Sequence, residues 1–238
     1  MRIPLTKYGL PEVLVYPAAI VGLMTAILLV GLALLPTWFV VSAEAILAAL
    51  LLAVLWFFRD PDRSVQTGDY TLLAPADGRV TDIETIEEQD YIGGKTLRIG
   101  IFLSMLNAHI NRAPCNVRVE KVSYQRGKHK NAMNPQSGQV NESNDLALVR
   151  TDSPRDKLIV RQISGAIARR IVCQASAGQR LVIGEKFGMI KFGSRCELYV
   201  PLQPDAEHGV WQPTCLVKKG DKVKAGLTPL IRYEPCQL

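Results

Sequence analysis

Two apolar runs lie back to back at the start of the chain and constrain its architecture most. Val13 to Leu35 has about 23 residues and no charge, enough to cross a hydrocarbon core of ~30 Å. Pro36-Thr37 interrupts it, and Trp38 to Phe58 follows with Glu44 as its one ionisable group. Trp38, Trp56, Phe57 and Phe58 sit at the ends of the second run, where aromatic belts form. The linker is too short for anything but a tight turn, so the two runs predict an antiparallel transmembrane hairpin over residues 1–58. A cleaved secretory signal fits poorly, because the first run is long and no A-x-A site follows it. Arg2 and Lys7 precede the pair, Arg59 and Arg63 follow it, and the turn carries no positive charge. By the positive-inside rule both ends, and the domain that follows, are expected on the cytoplasmic side of the cell (inner) membrane. Glu44 is assigned no function.

Residues 59–238 hold the soluble part. Of the 238 residues, 28 are basic and 22 acidic. Arg2, Lys7, Glu12 and Glu44 cancel within residues 1–58, so the second part carries the whole net charge of +6. A basic surface suits anionic lipid or an acidic substrate. No basic run with interleaved aromatics occurs, so a nucleic-acid partner is disfavoured. The five cysteines, Cys115, Cys173, Cys196, Cys215 and Cys236, form neither a CxxC pair nor a zinc spacing. They point to a reducing compartment and no metal.

Short β-branched segments bounded by turns predict a mainly β fold, a compact sandwich or barrel-like domain. The strands are expected at Tyr70–Leu73, Arg79–Ile83, Thr96–Phe102, Val117–Tyr124, Leu146–Thr151, Leu158–Ile163, Ile171–Cys173, Met189–Phe192, Cys196–Val200, Cys215–Val217 and Pro229–Tyr233. A helix is expected near Ser164–Arg170 and a short turn at Leu103–His109. Two fragments echo each other, one from Ala74 to Val80 and one from Lys219 to Gly226; both resemble turns of lipoyl- and biotinyl-type domains. No βαβ alternation, GxGxxG or P-loop is present, which disfavours a nucleotide enzyme.

Few residues invite chemistry. The three histidines have no HExxH spacing. His129 lies in a basic turn and His208 in a polar loop, and both read as surface residues. His109 stands apart, because it falls in the dense polar cluster Asn107-Ala108-His109-Ile110-Asn111-Arg112. Asp77 sits in an Asp-Gly turn, a common structural element. Ser194 lies in Lys191-Phe192-Gly193-Ser194-Arg195, which is not a GxSxG elbow. Taken one by one, these residues leave the chemistry open.

Taken in order, the segments resemble the short form of the phosphatidylserine decarboxylase family. The resemblance runs roughly from Trp56 to Pro201. It rests on Phe57-Phe58-Arg59-Asp60-Pro61-Asp62-Arg63, Ala74-Pro75-Ala76-Asp77-Gly78, Phe102-Leu103-Ser104 with His109 to Pro114, Gly127-Lys128 with Asn131-Ala132, Val160 to Val172, and Gly184 to Arg195. It implies a proenzyme that cuts itself between Gly193 and Ser194 into a β chain, 1–193, and an α chain, 194–238. Ser194 would become a covalent pyruvoyl group, with no pyridoxal phosphate and no metal. That group would form a Schiff base with phosphatidylserine and release phosphatidylethanolamine. His109 is implied as the base and Asp77 as the carboxylate that orients it, with Asn111, Arg112 and Asn131 as substrate-binding candidates. Longer relatives carry a second histidine where this chain has Arg112, so the division of labour between histidines does not carry over. A membrane-anchored lipoyl- or biotinyl-like carrier, which would be modified at Lys191, or an adaptor domain is the alternative, with a non-catalytic scaffold behind it. Anionic membrane lipid is the expected partner, and the sequence leaves a homodimer open.

Overall fold

The computed structural model describes residues 5–65, 70–134, 137–166, 170–191, 193–202 and 211–235. Expectations that rest on Arg2, Phe192, His208, Cys236 or the middle of the helix foreseen at Ser164–Arg170 lie outside them. The chain divides into two units, Met1–Asp62 and Arg63–Leu238.

The first unit holds two apolar helices, α1 (Glu12–Leu34) and α2 (Thr37–Phe57), each long enough to cross a membrane. Pro36 separates them; Leu35, just before it, is extended, as residues preceding proline usually are. Leu29, Leu34, Trp38, Ile46 and Leu52 are each at least two-thirds exposed, so the outward surface is apolar rather than amphipathic. Gly31 permits close approach, because a Cβ there would lie 3.0 Å from the Val40 side chain. At the open end Leu5 pairs with Arg59, and the Thr6 N–H donates to the Phe58 carbonyl at 2.9 Å. The two flanks therefore lie side by side, as in a hairpin. The Arg59 guanidinium covers the Trp56 ring at 4.2 Å.

The second unit is mainly β, as expected. Its strands are β1 (Thr71–Leu73), β2 (Gly78–Glu88), β3 (Gly94–Leu103), β4 (Ile110–Arg112), β5 (Val117–Gln125), β6 (Ser143–Arg150), β7 (Lys157–Ile163), β8 (Ile171–Cys173), β9 (Arg180–Leu181), β10 (Lys186–Ile190), β11 (Ser194–Pro201), β12 (Trp211–Cys215), β13 (Lys222–Val223) and β14 (Pro229–Pro235). Eight form one antiparallel sheet in the order β13-β2-β3-β11-β7-β6-β5-β9. Two three-stranded sheets, β1-β14-β12 and β4-β10-β8, complete the unit. The described part of Ser164–Arg170 is not helical. Strands β4, β9 and β13, of two or three residues each, were not foreseen.

Strand β11 is central, paired with β3 on one side and β7 on the other. Cys196, Leu198 and Val200 alternate into the apolar core with Ile99, Ile101, Leu146, Leu158 and Val160. Arg195, Glu197 and Tyr199 alternate to the opposite face, and that face is buried as well. The two echoing fragments meet. Val223 pairs with Gly78 and Lys222 with Arg79, while the Gly226 N–H donates to the Ala74 carbonyl at 2.9 Å.

Candidate active site

Ser194 opens β11 opposite Leu103, the last residue of β3. His109 directly precedes β4, which pairs with β10, and the Ile190 N–H donates to the His109 carbonyl at 3.3 Å. Leu103 and His109 are thus tied to Ser194 and Ile190 respectively.

The residues at this corner are buried but unequally bonded. Ser194 and His109 are both fully buried. Ser194 Oγ has no hydrogen-bond partner among the described residues. A buried polar group left unsatisfied costs about 1–3 kcal/mol and calls for an explanation. Gly193, just before it, has φ +62°, the left-handed region that favours glycine. A Cβ on Gly193 would meet nothing within 4 Å, so its backbone angle, not crowding, is what favours glycine. Crowding comes from the other side. A Cβ on Gly165 would fall 1.9 Å from the Gly193 carbonyl oxygen and 3.2 Å from the Ala132 side chain. Gly165 and Ala132 therefore wall the carbonyl that precedes Ser194.

A carbonyl orients His109. Its Nδ1 lies 2.9 Å from the Asn107 carbonyl oxygen, which can only accept. This contact assigns the hydrogen to Nδ1 and leaves Nε2 as the basic nitrogen of the neutral ring. Asn107 is itself fixed by a local turn. Its Oδ1 accepts from the Ser104 N–H at 2.9 Å and from Ser104 Oγ at 2.7 Å.

The Asp77 carboxylate is bonded at the junction of the two echoing turns. It makes a bidentate pair with Arg63, at 2.6 and 2.7 Å, and accepts from the Ala225 N–H at 2.8 Å. Arg63 also donates to the Ala225 carbonyl at 2.6 Å. Asp77 thus locks the junction of the two echoing turns, using an arginine that the sequence had suggested was only a membrane flank. It reaches β4 through the backbone, because the neighbouring Pro75 carbonyl accepts from the Arg112 N–H at 3.0 Å.

The three substrate-binding candidates fall in different surroundings. Asn111 is fully buried; its Oδ1 accepts from Gln162, whose own Oε1 accepts from Asn144. Arg112 is buried and donates to the Gly184 carbonyl at 3.0 Å. Asn131 is exposed, and its Oδ1 accepts from the Met133 N–H in a local turn. Only Asn131 lies at a surface, one residue before Ala132 of the Gly193 wall.

One residue beyond Ser194 the bonding is saturated. Arg195 is fully buried and donates to Glu197, Thr81 and Asp82, each at 2.7 Å. An irregularity between Val80 and Asp82 in β2 accompanies the approach of two consecutive residues to one guanidinium. Gly100 makes room, since a Cβ there would lie 1.9 Å from an Arg195 nitrogen. Tyr199 donates to the second Glu197 oxygen at 2.6 Å. Burial alone would raise the Asp82 carboxyl, but hydrogen bonds from Arg195 and Thr81, with the Arg195 and Arg98 charges, hold it below its ordinary value. No cluster of three or more potential metal-ligating side chains occurs among the described residues.

Sequence reasoning missed Gly165, Asn107 and Arg63 as parts of this region. The signal for Gly165 was its place in Ser164-Gly165, a segment of the family resemblance whose task only the three-dimensional contact reveals.

The phosphatidylserine decarboxylase family model matches residues 50–230. The chain is 40% identical to the phosphatidylserine decarboxylase proenzyme of Symbiobacterium thermophilum, over 86% of this chain and 90% of that protein. The proenzyme of Rhodopirellula baltica is 39% identical over 98% of this chain and 89% of its own. That of Chlorobium phaeovibrioides is 38% identical over 95% of both. With a family match across the site and relatives aligned over nearly their whole lengths, this chain belongs to the phosphatidylserine decarboxylase family.

Proposed function

We propose that the chain is a proenzyme that cuts itself between Gly193 and Ser194 and then decarboxylates phosphatidylserine to phosphatidylethanolamine. The observation that carries this reading is the buried Ser194 hydroxyl, unpartnered among the described residues, following a left-handed glycine whose carbonyl is walled by Gly165. A hydroxyl left in this way costs stability, and such costs gather where chemistry needs them.

In the cleavage, His109 Nε2 takes the proton from Ser194 Oγ. The oxygen attacks the Gly193 carbonyl carbon, and the bond to the Ser194 nitrogen breaks as that nitrogen gains a proton. An ester replaces the amide. Loss of the Ser194 α-hydrogen and of the ester oxygen from Cβ releases residues 1–193 with an ordinary carboxyl end. The aminoacrylyl group left on residue 194 takes up one water and loses one ammonia, leaving a pyruvoyl group. Asn107 fixes the His109 tautomer, and Asp77 acts at a distance by locking the turns that hold β4.

The corner fits the group, since residue 194 is buried, heads a central strand and is followed by a locked arginine. The pyruvoyl group supplies an electrophilic carbonyl that takes the substrate amine and the electron pair of the bond to carbon dioxide. The chain 194–238 stays with the chain 1–193 because β11 is hydrogen-bonded between β3 and β7, while β13 pairs with β2 and β14 with β1. The helices α1 and α2 span the membrane as a hairpin, with the catalytic unit on the cytoplasmic face. The motive is the pairing of both cation-bearing flanks at one end, opposite an uncharged turn.

The test uses the purified full chain in detergent with phosphatidylserine. Wild type should release carbon dioxide and form phosphatidylethanolamine, and borohydride added with substrate should attach the lipid to residues 194–238. Fully cleaved protein that leaves phosphatidylserine unchanged would overturn the assigned reaction.

A further inference from the structure

We infer that two loops at the site end of the large sheet, 104–109 and 126–134, form a bilayer-docking rim that holds an anionic lipid surface against the catalytic unit. The inference rests on the lipid substrate proposed above and adds a contact surface separate from the two apolar helices.

Register places both loops at one end. Ser194 lies opposite Leu103, Arg195 opposite Ile163, Ile163 opposite Ser143, and Ser143 opposite Gln125. These pairs mark one edge across β3, β11, β7, β6 and β5. Loop 104–109 leaves β3 at that edge, and loop 126–134 leaves β5 there. Ala132 in the second loop contributes to the wall beside the Gly193 carbonyl.

The rim has the chemistry of an anionic membrane contact. Met105, Leu106 and Met133 are 44%, 75% and 57% exposed, an unusual presentation for a soluble surface. Arg126, Lys128 and Lys130 are exposed in the second loop, and neither loop contains an acidic residue. Apolar side chains that enter the headgroup region, flanked by cations, define interfacial binding. The opposite end of the sheet differs. There β2 ends on Glu87 and Glu88, and the turn into β3 carries Asp90. Strand β3, with 10 residues, separates the two ends by roughly 30 Å. An anionic surface therefore favours the site end over the far end, where Lys95, Arg155 and Lys157 offset part of the negative charge. This orientation brings lipid headgroups to the side where residue 194 lies.

The test places single tryptophans in the full chain, in nanodiscs of equal phosphatidylcholine and phosphatidylglycerol whose acyl chains carry bromine as quencher. Leu106→Trp and Met133→Trp should gain quenched emission over wild type, whereas Gln89→Trp at the far turn should gain unquenched emission. Removing charge with Lys128→Gln and Lys130→Gln should lower the docked-to-undocked ratio about fivefold per residue, the equivalent of ~1 kcal/mol each. No quenching at 106 and 133, equal quenching at 89, or burial of 106 and 133 against a second copy would each overturn the rim. The readout does not need catalysis and is repeated with Ser194→Ala in each background. With Ser194 intact, quenching in a protein that never decarboxylates would sustain the rim and sink the proposed reaction, and decarboxylation without quenching would do the reverse.

Discussion

Ser194 and Arg195 are neighbours at the head of one strand, and their surroundings differ sharply. Both are fully buried. Ser194 Oγ has no described partner, whereas Arg195 donates to three. Gly193 on one side occupies a left-handed backbone angle, and Gly100 on the other gives up its side chain so that a guanidinium fits. The contrast suggests a division of labour. On the proposed cleavage, the under-bonded corner lets an oxygen move, and the cage fixes the next residue so that the new terminus stays in register once the chain is cut.

The largest expected effect is at the loose corner itself. Ser194→Ala removes the attacking oxygen, so cleavage and decarboxylation should both vanish while the protein stays folded, read as one full-length band. His109→Ala should slow cleavage by ~10²–10⁴, the usual loss for an activating base. A time course of band splitting measures it, and normal cleavage would free His109 of that role.

The cage should respond in stability rather than in chemistry. Arg195→Met strands Asp82 and Glu197 as buried charges, which typically costs ~3–5 kcal/mol. Its thermal midpoint should fall well below that of Ser194→Ala, and similar midpoints would erase the contrast between the two neighbours. Between these extremes stand two glycines. Gly165→Ala thrusts a methyl at the Gly193 carbonyl and should cost ~1–3 kcal/mol. Gly193→Ala meets no atom and carries only the left-handed backbone penalty of ~1–2 kcal/mol. Cleavage rates that rank Gly193→Ala as the more damaging would place the constraint in the backbone angle instead of the wall.

The smallest effect is a pH dependence of the cage. Asp82 titrates in the fold below its ordinary value of 3.8. A depressed carboxyl contributes stability that is complete above its unfolded value and is lost as pH falls through the folded one. The difference in thermal midpoint between wild type and Asp82→Asn should therefore be constant from neutral pH to about 4 and shrink below that.

The sequence disclosed the hairpin and most strands, because apolar length and β-branched alternation are local signals. Strands β4, β9 and β13 escaped because two or three residues carry no period; their pairing partners define them. The cage escaped for a related reason. Arg195, Glu197 and Tyr199 alternate with apolar residues, a pattern that ordinarily marks a solvated face, yet here that face is buried. At the site, the resemblance pointed to Gly193, Ser194 and His109; Ser194 pairs with Leu103, and the Ile190 N–H donates to the His109 carbonyl. It did not foresee that Arg63, read as a membrane flank, takes Asp77, or that the Asn107 carbonyl holds His109. Both depend on contacts that spacing does not encode.

The central claim is that the bond between Gly193 and Ser194 is the one the molecule breaks, and intact mass of the purified full chain tests it most directly. The account predicts two chains, residues 1–193 and 194–238, whose masses sum to that of the uncut chain plus one water less one ammonia. The smaller should begin with a pyruvoyl group and resist stepwise amino-terminal degradation. A single uncut chain that nonetheless decarboxylates phosphatidylserine, or a smaller chain that begins with an intact serine amine, would contradict it.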